Sequence, residues 1–235
     1  MFALALFAQT ATDASRQSFH ITPPKPVEEL RREALQAQPP VEKGKRKSDL
    51  VEVVKLNPAI KLDIRYASDN NFMGTPFYSQ ARAFLQRPAA EALSAANGDL
   101  LAHGYGILIH DAYRPWYVTK MFWDATPEDK KRFVADPAEG SKHNRGCAAD
   151  VSLYDLKTGK EAVMPSGYDE MSERAYPNYT GGAPDERSRR DLLRTVMEQH
   201  DFTVYEFEWW HFDYKDCVSW PIGNVPFEKM NPKTE

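Results

Sequence analysis

Two short segments concentrate the side chains that can do chemistry: Ser141-Lys142-His143-Asn144-Arg145-Gly146-Cys147-Ala148-Ala149-Asp150 and Glu206-Phe207-Glu208-Trp209-Trp210-His211-Phe212. The chain has only six histidines, and two of them fall here. A neutral imidazole from His143 and a carboxylate from Asp150 are good ligands for a borderline cation such as Zn²⁺. They stand seven residues apart, which on one straight strand would put them on opposite faces. Gly146 between them permits the turn or bulge that lets both converge, and Cys147, Ala148 and Ala149 are small enough for close approach. The plainer alternative is a polar loop entering a strand. His211 adds a third ligand, and three protein ligands plus water is the usual catalytic arrangement of zinc. Glu208, three residues earlier, is placed to act as general base on such a water. In an ideal strand Glu208 and His211 face opposite ways, so Glu208 has to sit at an irregular strand start. Trp209 and Trp210 would wall the site, unless the stretch is simply core with His211 satisfied inside it. The spacing is not the HExxH helix signature.

Stepping along the chain, the elements that must hold these groups are short and mixed. Leu50–Leu56 has the β-branched richness of a strand and is stopped by Asn57-Pro58. Ile60–Tyr66 alternates apolar and polar residues as a half-buried strand does. Pro88–His103 reads as a helix with Pro88 in its first turn, ended by Gly104. Ile107–Ile109 reads as a buried strand, followed by Asp111-Ala112-Tyr113-Arg114-Pro115 and a helix through Phe122. Asp185–His200 is amphipathic, with Leu192, Leu193, Val196 and Met197 on one side, and Phe202–Tyr214 is strand-like. There is no regular βαβ rhythm and no glycine-rich phosphate loop, so a doubly wound nucleotide fold is excluded. The expectation is one α+β domain over residues 48–235.

Residues 1–47 read as an extension. The apolar start Met1-Phe2-Ala3-Leu4-Ala5-Leu6-Phe7-Ala8 resembles the core of a secretory signal without its basic n-region, the first positive charge being Arg16. It favours a periplasmic or exported protein, with a cytoplasmic one as the alternative. Pro23, Pro24, Pro26, Pro39 and Pro40 flank a helical stretch, Glu28–Gln38. The cluster Lys43-Gly44-Lys45-Arg46-Lys47 reads as a solvated linker, with attraction to an anionic surface as the alternative. A formal charge of −4 gives no reason to expect nucleic-acid binding, and no apolar run is long enough to span a bilayer. Cys147 and Cys217 lack zinc-knuckle spacing; two buried thiols are expected, with one disulfide as the alternative. No heptad or repeat marks an oligomer.

The strings SKHNRGCAAD, EWWH and DAYRP, together with DIRYA from Asp63, NFMG from Asn71 and SGYDEM from Ser166, resemble the VanX-type D-alanyl-D-alanine dipeptidases. These belong to the zinc DD-peptidase and hedgehog-like superfamily. The resemblance runs from Ile60 to the Trp220 region and leaves out the proline-rich front. It implies a central, mainly antiparallel sheet flanked by helices and one Zn²⁺ per chain held by His143, Asp150 and His211. It implies Glu208 as catalytic base, Arg114 as the arginine that stabilises the transition state, and Asp169 as the residue that holds the free amino group of the dipeptide. Ser141 and Tyr66 match substrate-pocket positions. Lys142 and Cys147 depart from the small polar residues of many relatives.

The implied reaction is hydrolysis of D-Ala-D-Ala by zinc-activated water. Glu208 takes the proton and delivers it to the leaving amine, while Arg114 holds the oxyanion. A dipeptidase should close the far end of its groove and pair the substrate ammonium with a carboxylate, for which Asp169 is the candidate. A cell-wall carboxypeptidase or endopeptidase of the same superfamily is the nearest alternative, and the segment from Gly159 to Tyr179 should distinguish them by whether it closes the pocket. A non-catalytic zinc-stabilised binding module is the alternative from another class, and an intact Glu208 argues against it.

Overall fold

A computed structural model describes residues 19–230 of the chain; the signal-like run at residues 1–8 lies outside them. The folding logic centres on two strands, β4 (Tyr105–Asp111) and β5 (Ala148–Asp155). Both are buried along almost their whole length, as strands covered on both faces must be. They pair antiparallel, with Ile107 opposite Leu153 and Ile109 opposite Val151. β7 (Glu208–Tyr214) continues the sheet antiparallel to β5, and β6 (Phe202–Tyr205) closes one edge antiparallel to β7. β2 (Lys61–Leu62) lies parallel to β4 at the other edge, giving the order β2-β4-β5-β7-β6. The protein is thus an α+β domain with a mainly antiparallel central sheet.

Helix α3 (Arg87–Ala102) covers one face. Its Ala89, Ala90, Leu93, Ala96, Asn97 and Leu100 recur at helical spacing and are buried, and the Asn97 side-chain carbonyl accepts from the Ile107 backbone N–H. Helix α5 (Pro184–Gln199) buries Leu193, Val196 and Met197 against α3 and β6. Helix α4 (Trp116–Ala125) is buried on most sides. Against it packs α1 (Val27–Gln36), which lies within the proline-rich front and sends Leu30 and Ala34 into the common core.

Several local expectations change. Leu50–Leu56 is a strand only over β1 (Leu50–Glu52); Val53–Leu56 forms a helical turn, α2. Its partner β3 (Phe84–Gln86) is just as short, so no ladder exists beyond Glu52 to reward the β-branched residues. The expected strand Ile60–Tyr66 gives way after Leu62 to a 3₁₀ turn, Arg65–Ala67, because Arg65 and Tyr66 are both buried and cannot alternate. Phe202–Tyr214 is a hairpin turning at Glu206-Phe207. The basic cluster is partly anchored: the Lys45 ammonium donates to the Val218 carbonyl and the Arg46 guanidinium lies over the Trp220 ring. Cys147 and Cys217 are a disulfide, not two thiols. Cys147 directly precedes β5 and Cys217 follows β7, so pairing of those strands brings their Cα atoms to 5.5 Å.

Candidate metal centre and active site

The local fold around His143 resolves the spacing problem. Residues His143–Arg145 form a 3₁₀ turn closed by Gly146 in the left-handed region, φ +67°. A Cβ there would be strained and would also run into the Leu50 side chain, so the turn requires glycine. The reversal carries His143 back over the start of β5, where Asp150 lies directly opposite His211 on β7. Three atoms converge: His143 Nε2 lies 3.2 Å from Asp150 Oδ1 and 3.1 Å from His211 Nδ1, which is itself 3.0 Å from Asp150 Oδ1. Among the described residues this is the one cluster of three such side chains able to hold a metal ion.

The outer contacts of each ring fix which nitrogen is available. His143 Nδ1 is 2.6 Å from the Ala112 carbonyl, and His211 Nε2 is 3.0 Å from Asp213 Oδ1. Both partners are acceptors, so with a cation bound these outer nitrogens would carry the protons and His143 Nε2 and His211 Nδ1 would be the free donors. The second oxygen of Asp150 accepts from the Tyr168 hydroxyl at 2.8 Å. Burial alone would raise Asp150, but His143 and His211 outweigh it and hold the carboxyl well below its usual range. Burial would lower His211, and the Asp213 and Asp150 carboxylates overcome it. A carboxylate oxygen and two imidazole nitrogens at this spacing are a donor set that suits a divalent cation, whose binding would displace the imidazole protons.

Glu208 opens β7, where the β6–β7 register shifts between Val204 and Tyr205. That irregularity lets its Oε2 come within 3.8 Å of His211 Nδ1. Burial raises its carboxyl to about 8, against the pull of His211. Arg114 reaches the same place from the turn after β4. Its Nε donates to Asp111 Oδ2 at 2.8 Å, its Nη2 lies 3.7 Å from Asp150 Oδ2, and its guanidinium sits over the Tyr66 and Phe122 rings. The Tyr78 hydroxyl holds the other oxygen of Asp111 at 2.9 Å.

These groups face a cavity of about 430 Å³ whose lining includes Arg114, Ser141, Asp169, Glu208 and Trp210. Trp209 does not join it; its indole N–H donates to Ser166 Oγ in the core. Ser141 Oγ accepts from the His143 backbone N–H and steadies the metal turn. Tyr66 reaches the cavity too, and its hydroxyl donates to Asp169 Oδ1 at 2.9 Å. Asp169 Oδ2 is buried without a hydrogen-bond partner among the described residues, and burial raises this carboxyl to about 8.

Every site residue singled out in the sequence therefore reaches one cavity. Sequence reasoning missed those behind them: Asp111, Tyr168, Asp213 and the Ala112 carbonyl. Asp213 was legible, standing two residues beyond His211 on the same strand face. Asp111 and Tyr168 lay inside quoted strings, but nothing local says which way a turn residue points.

The D-ala-D-ala dipeptidase family of peptidases (Peptidase_M15) matches residues 46–227. The D-alanyl-D-alanine dipeptidase of Escherichia coli K12 is 33% identical over 175 residues, covering 74% of this chain and 89% of that protein. The one from Enterococcus faecalis V583 is 35% identical over 175 residues (67% and 87%), and the one from Streptomyces coelicolor is 31% identical over 186 residues (72% and 92%). With the match spanning the metal turn, the Arg114 turn and the Glu208 hairpin, the chain belongs to the D-ala-D-ala dipeptidase family of metallopeptidases.

Proposed function

We propose that the protein is a zinc-dependent dipeptidase that hydrolyses D-Ala-D-Ala, with His143, Asp150 and His211 holding one ion. The observation that carries this reading is one cavity that holds both the converging His143, Asp150 and His211 donors and the unpartnered Asp169 Oδ2. Zinc in that donor set would bring the pKa of its water toward neutrality and polarise the scissile carbonyl. Glu208 takes the proton of the attacking water and passes it to the leaving amine. Its raised pKa suits both halves of that transfer. Arg114, fixed by Asp111 and by two aromatic faces, presents its remaining N–H groups to the oxygen that gains charge.

Asp169 takes the substrate ammonium. Tyr66 occupies its first oxygen, so only the second is available, and a buried ammonium needs such a partner. The Gly159–Tyr179 segment contributes Asp169, Glu170 and Met171 to the cavity lining, which supports a pocket ended by this segment. Lys142 lines the cavity as well. A disulfide beside the metal turn supports function in an oxidising compartment, in keeping with an exported protein; cell fractionation that found the enzyme only in the cytoplasm would remove that part.

The deciding assay compares D-Ala-D-Ala with a muramyl pentapeptide ending in the same two residues, using zinc-loaded protein. Cleavage of the dipeptide alone is expected. Cleavage of the pentapeptide would move the protein to the carboxypeptidase side of its superfamily, and cleavage of neither with zinc bound would reject the substrate.

A further inference from the structure

Two of the quoted strings, DIRYA and SGYDEM, contain groups that the proposed reaction does not use: the half-exposed Asp63 and buried Arg65 in the first, buried Tyr168 in the second. With His110 and Glu161 they form one cluster behind Asp150. The Tyr168 hydroxyl donates to Asp150 Oδ2 at 2.8 Å. Its ring, 3% exposed, lies on the His110 ring at 4.8 Å and against Trp210 at 5.5 Å. His110 is fully buried, with Nδ1 3.2 Å from the Asp63 carbonyl and Nε2 3.0 Å from Glu161 Oε1. Arg65 joins the set from below: Nη2 is 3.0 Å from Glu161 Oε2, Nε is 2.7 Å from Asp63 Oδ2, and the guanidinium lies 5.9 Å from the Tyr168 ring.

We propose that Tyr168 is a positioning residue for the metal, held in place by the His110–Glu161–Arg65 cluster, and that it makes Asp150 a one-oxygen ligand. The inference rests on the zinc reading above. A carboxylate that turns both oxygens to an ion fills two coordination positions, and a hydrolytic site needs one of them for water. By holding Oδ2, Tyr168 leaves Oδ1 alone directed at His143 Nε2 and His211 Nδ1. Arg114 Nη2 approaches the same Oδ2, but at 3.7 Å, which is beyond hydrogen-bond range. Tyr168 is also covalently next to Asp169, so one short segment sets both a metal ligand and the ammonium partner.

The test uses the full chain with Tyr168→Phe, which keeps the ring contacts and removes one hydroxyl. Zinc affinity is measured by competition with a chromogenic chelator, coordination by the absorption spectrum of the Co²⁺-loaded protein, and folding by melting the chelator-stripped protein. The expected result is zinc binding weakened about ten- to hundredfold, as for loss of an outer-shell partner, with a changed Co²⁺ spectrum. The stripped protein should melt within about 3 °C of wild type, equivalent to roughly 1 kcal/mol. Unchanged zinc affinity and spectrum would overturn the proposal, as would a lower melting temperature with metal binding intact. Should the Phe variant not fold, Glu161→Gln, which loosens the support behind His110 without entering the cavity, has to weaken zinc in the same direction. A His143→Ala control separates the two readings: if it binds zinc as wild type does, the metal site itself is wrong and this inference falls with it.

Discussion

Replacing Asp169 by Asn should cripple the enzyme and stabilise the fold. The residue has a left-handed backbone, φ +60°, which Asn adopts readily, so the substitution tests the side chain and not the turn. The Tyr66 hydroxyl can still donate to the amide oxygen, while an N–H replaces the free oxygen and points at the substrate ammonium. Removing one partner of a buried ion pair costs about 3–5 kcal/mol, so kcat/KM for D-Ala-D-Ala should fall roughly 10²- to 10³-fold or more. Stability moves the other way. Burial raises the Asp169 carboxyl from 3.8 to about 8. At neutral pH the fold therefore keeps a proton that the unfolded chain has lost. At about 1.4 kcal/mol per pKa unit, the penalty reaches at most about 4 kcal/mol. Part of that returns as an imperfectly paired amide, leaving a gain of about 1–2 kcal/mol, or roughly 2–8 °C in Tm. Because the folded value lies above the unfolded one, wild-type stability should fall as pH rises from 3.8 toward 8, and the Asn variant should fall less steeply. Steady-state kinetics and thermal melts of chelator-stripped protein read both arms. A variant that cleaves the dipeptide within threefold of wild type would refute the ammonium role, whatever its Tm.

Other perturbations test separate parts of the structure. Glu208→Gln with zinc retained should lower kcat about 10²–10⁴-fold, and hydrolysis surviving at wild-type rate in the metal-loaded variant would end its role as base. Arg114→Lys should cost about 2.7–4 kcal/mol of barrier, because an ammonium cannot bind Asp111 and still present a planar pair of N–H groups; a loss under fivefold in kcat/KM would contradict this. The Cys147→Ser/Cys217→Ser double variant opens a link between residues 70 apart in sequence. It should lose about 4 kcal/mol in urea unfolding, and an unchanged midpoint would mean the link does not constrain the unfolded chain. Glu52 is held below its ordinary 4.5 by a two-pronged bond to Arg82. Its contribution is present above pH 4.5 and is lost as pH falls through the lower folded value. Glu52→Gln should therefore narrow the difference in Tm between pH 6 and pH 3, and equal differences in the two proteins would count against it.

What could be read from sequence follows the range of the physics involved. Helix α3, read from its Ala- and Leu-rich stretch behind Pro88, and α5, read from its amphipathic period, were located to within a residue, while α4 runs three residues past the expected Phe122. The strands at the edges were misjudged, because a strand's length depends on its partner. Leu50–Leu56 has the composition of a strand but meets only the three residues of β3. Ile60–Tyr66 has the alternation of one, yet Arg65 is buried to serve Glu161, 96 residues away. The disulfide was missed in favour of two thiols for the same reason, since 70 residues separate two cysteines that β5–β7 pairing brings together. Ligand types, by contrast, are properties of single side chains, and the convergence of His143, Asp150, His211 and Glu208 was legible once Gly146 and an irregular strand start were allowed.

The three acids of the cavity show why residue type alone could not distribute the work. Asp150, Asp169 and Glu208 are all carboxylates deep in one pocket, and burial pushes each of them up. Asp150 alone is compensated, by His143 and His211 at 3.2 and 3.0 Å, and is held ionised as a ligand should be. Glu208 has the more distant His211, at 3.8 Å, and the weaker pull of Arg114, and still rises to about 8, where a group can both take and give a proton near neutrality. Asp169 has a neutral Tyr66 hydroxyl on one oxygen and no hydrogen-bond partner among the described residues on the other, which suits the proposed pairing with an arriving ammonium. Environments that push like groups apart let one pocket give the same functional group different roles, here the proposed ligand, base and clamp. Here the assignment is made by residues behind the pocket, which is where substitutions that change the chemistry without touching substrate should be sought.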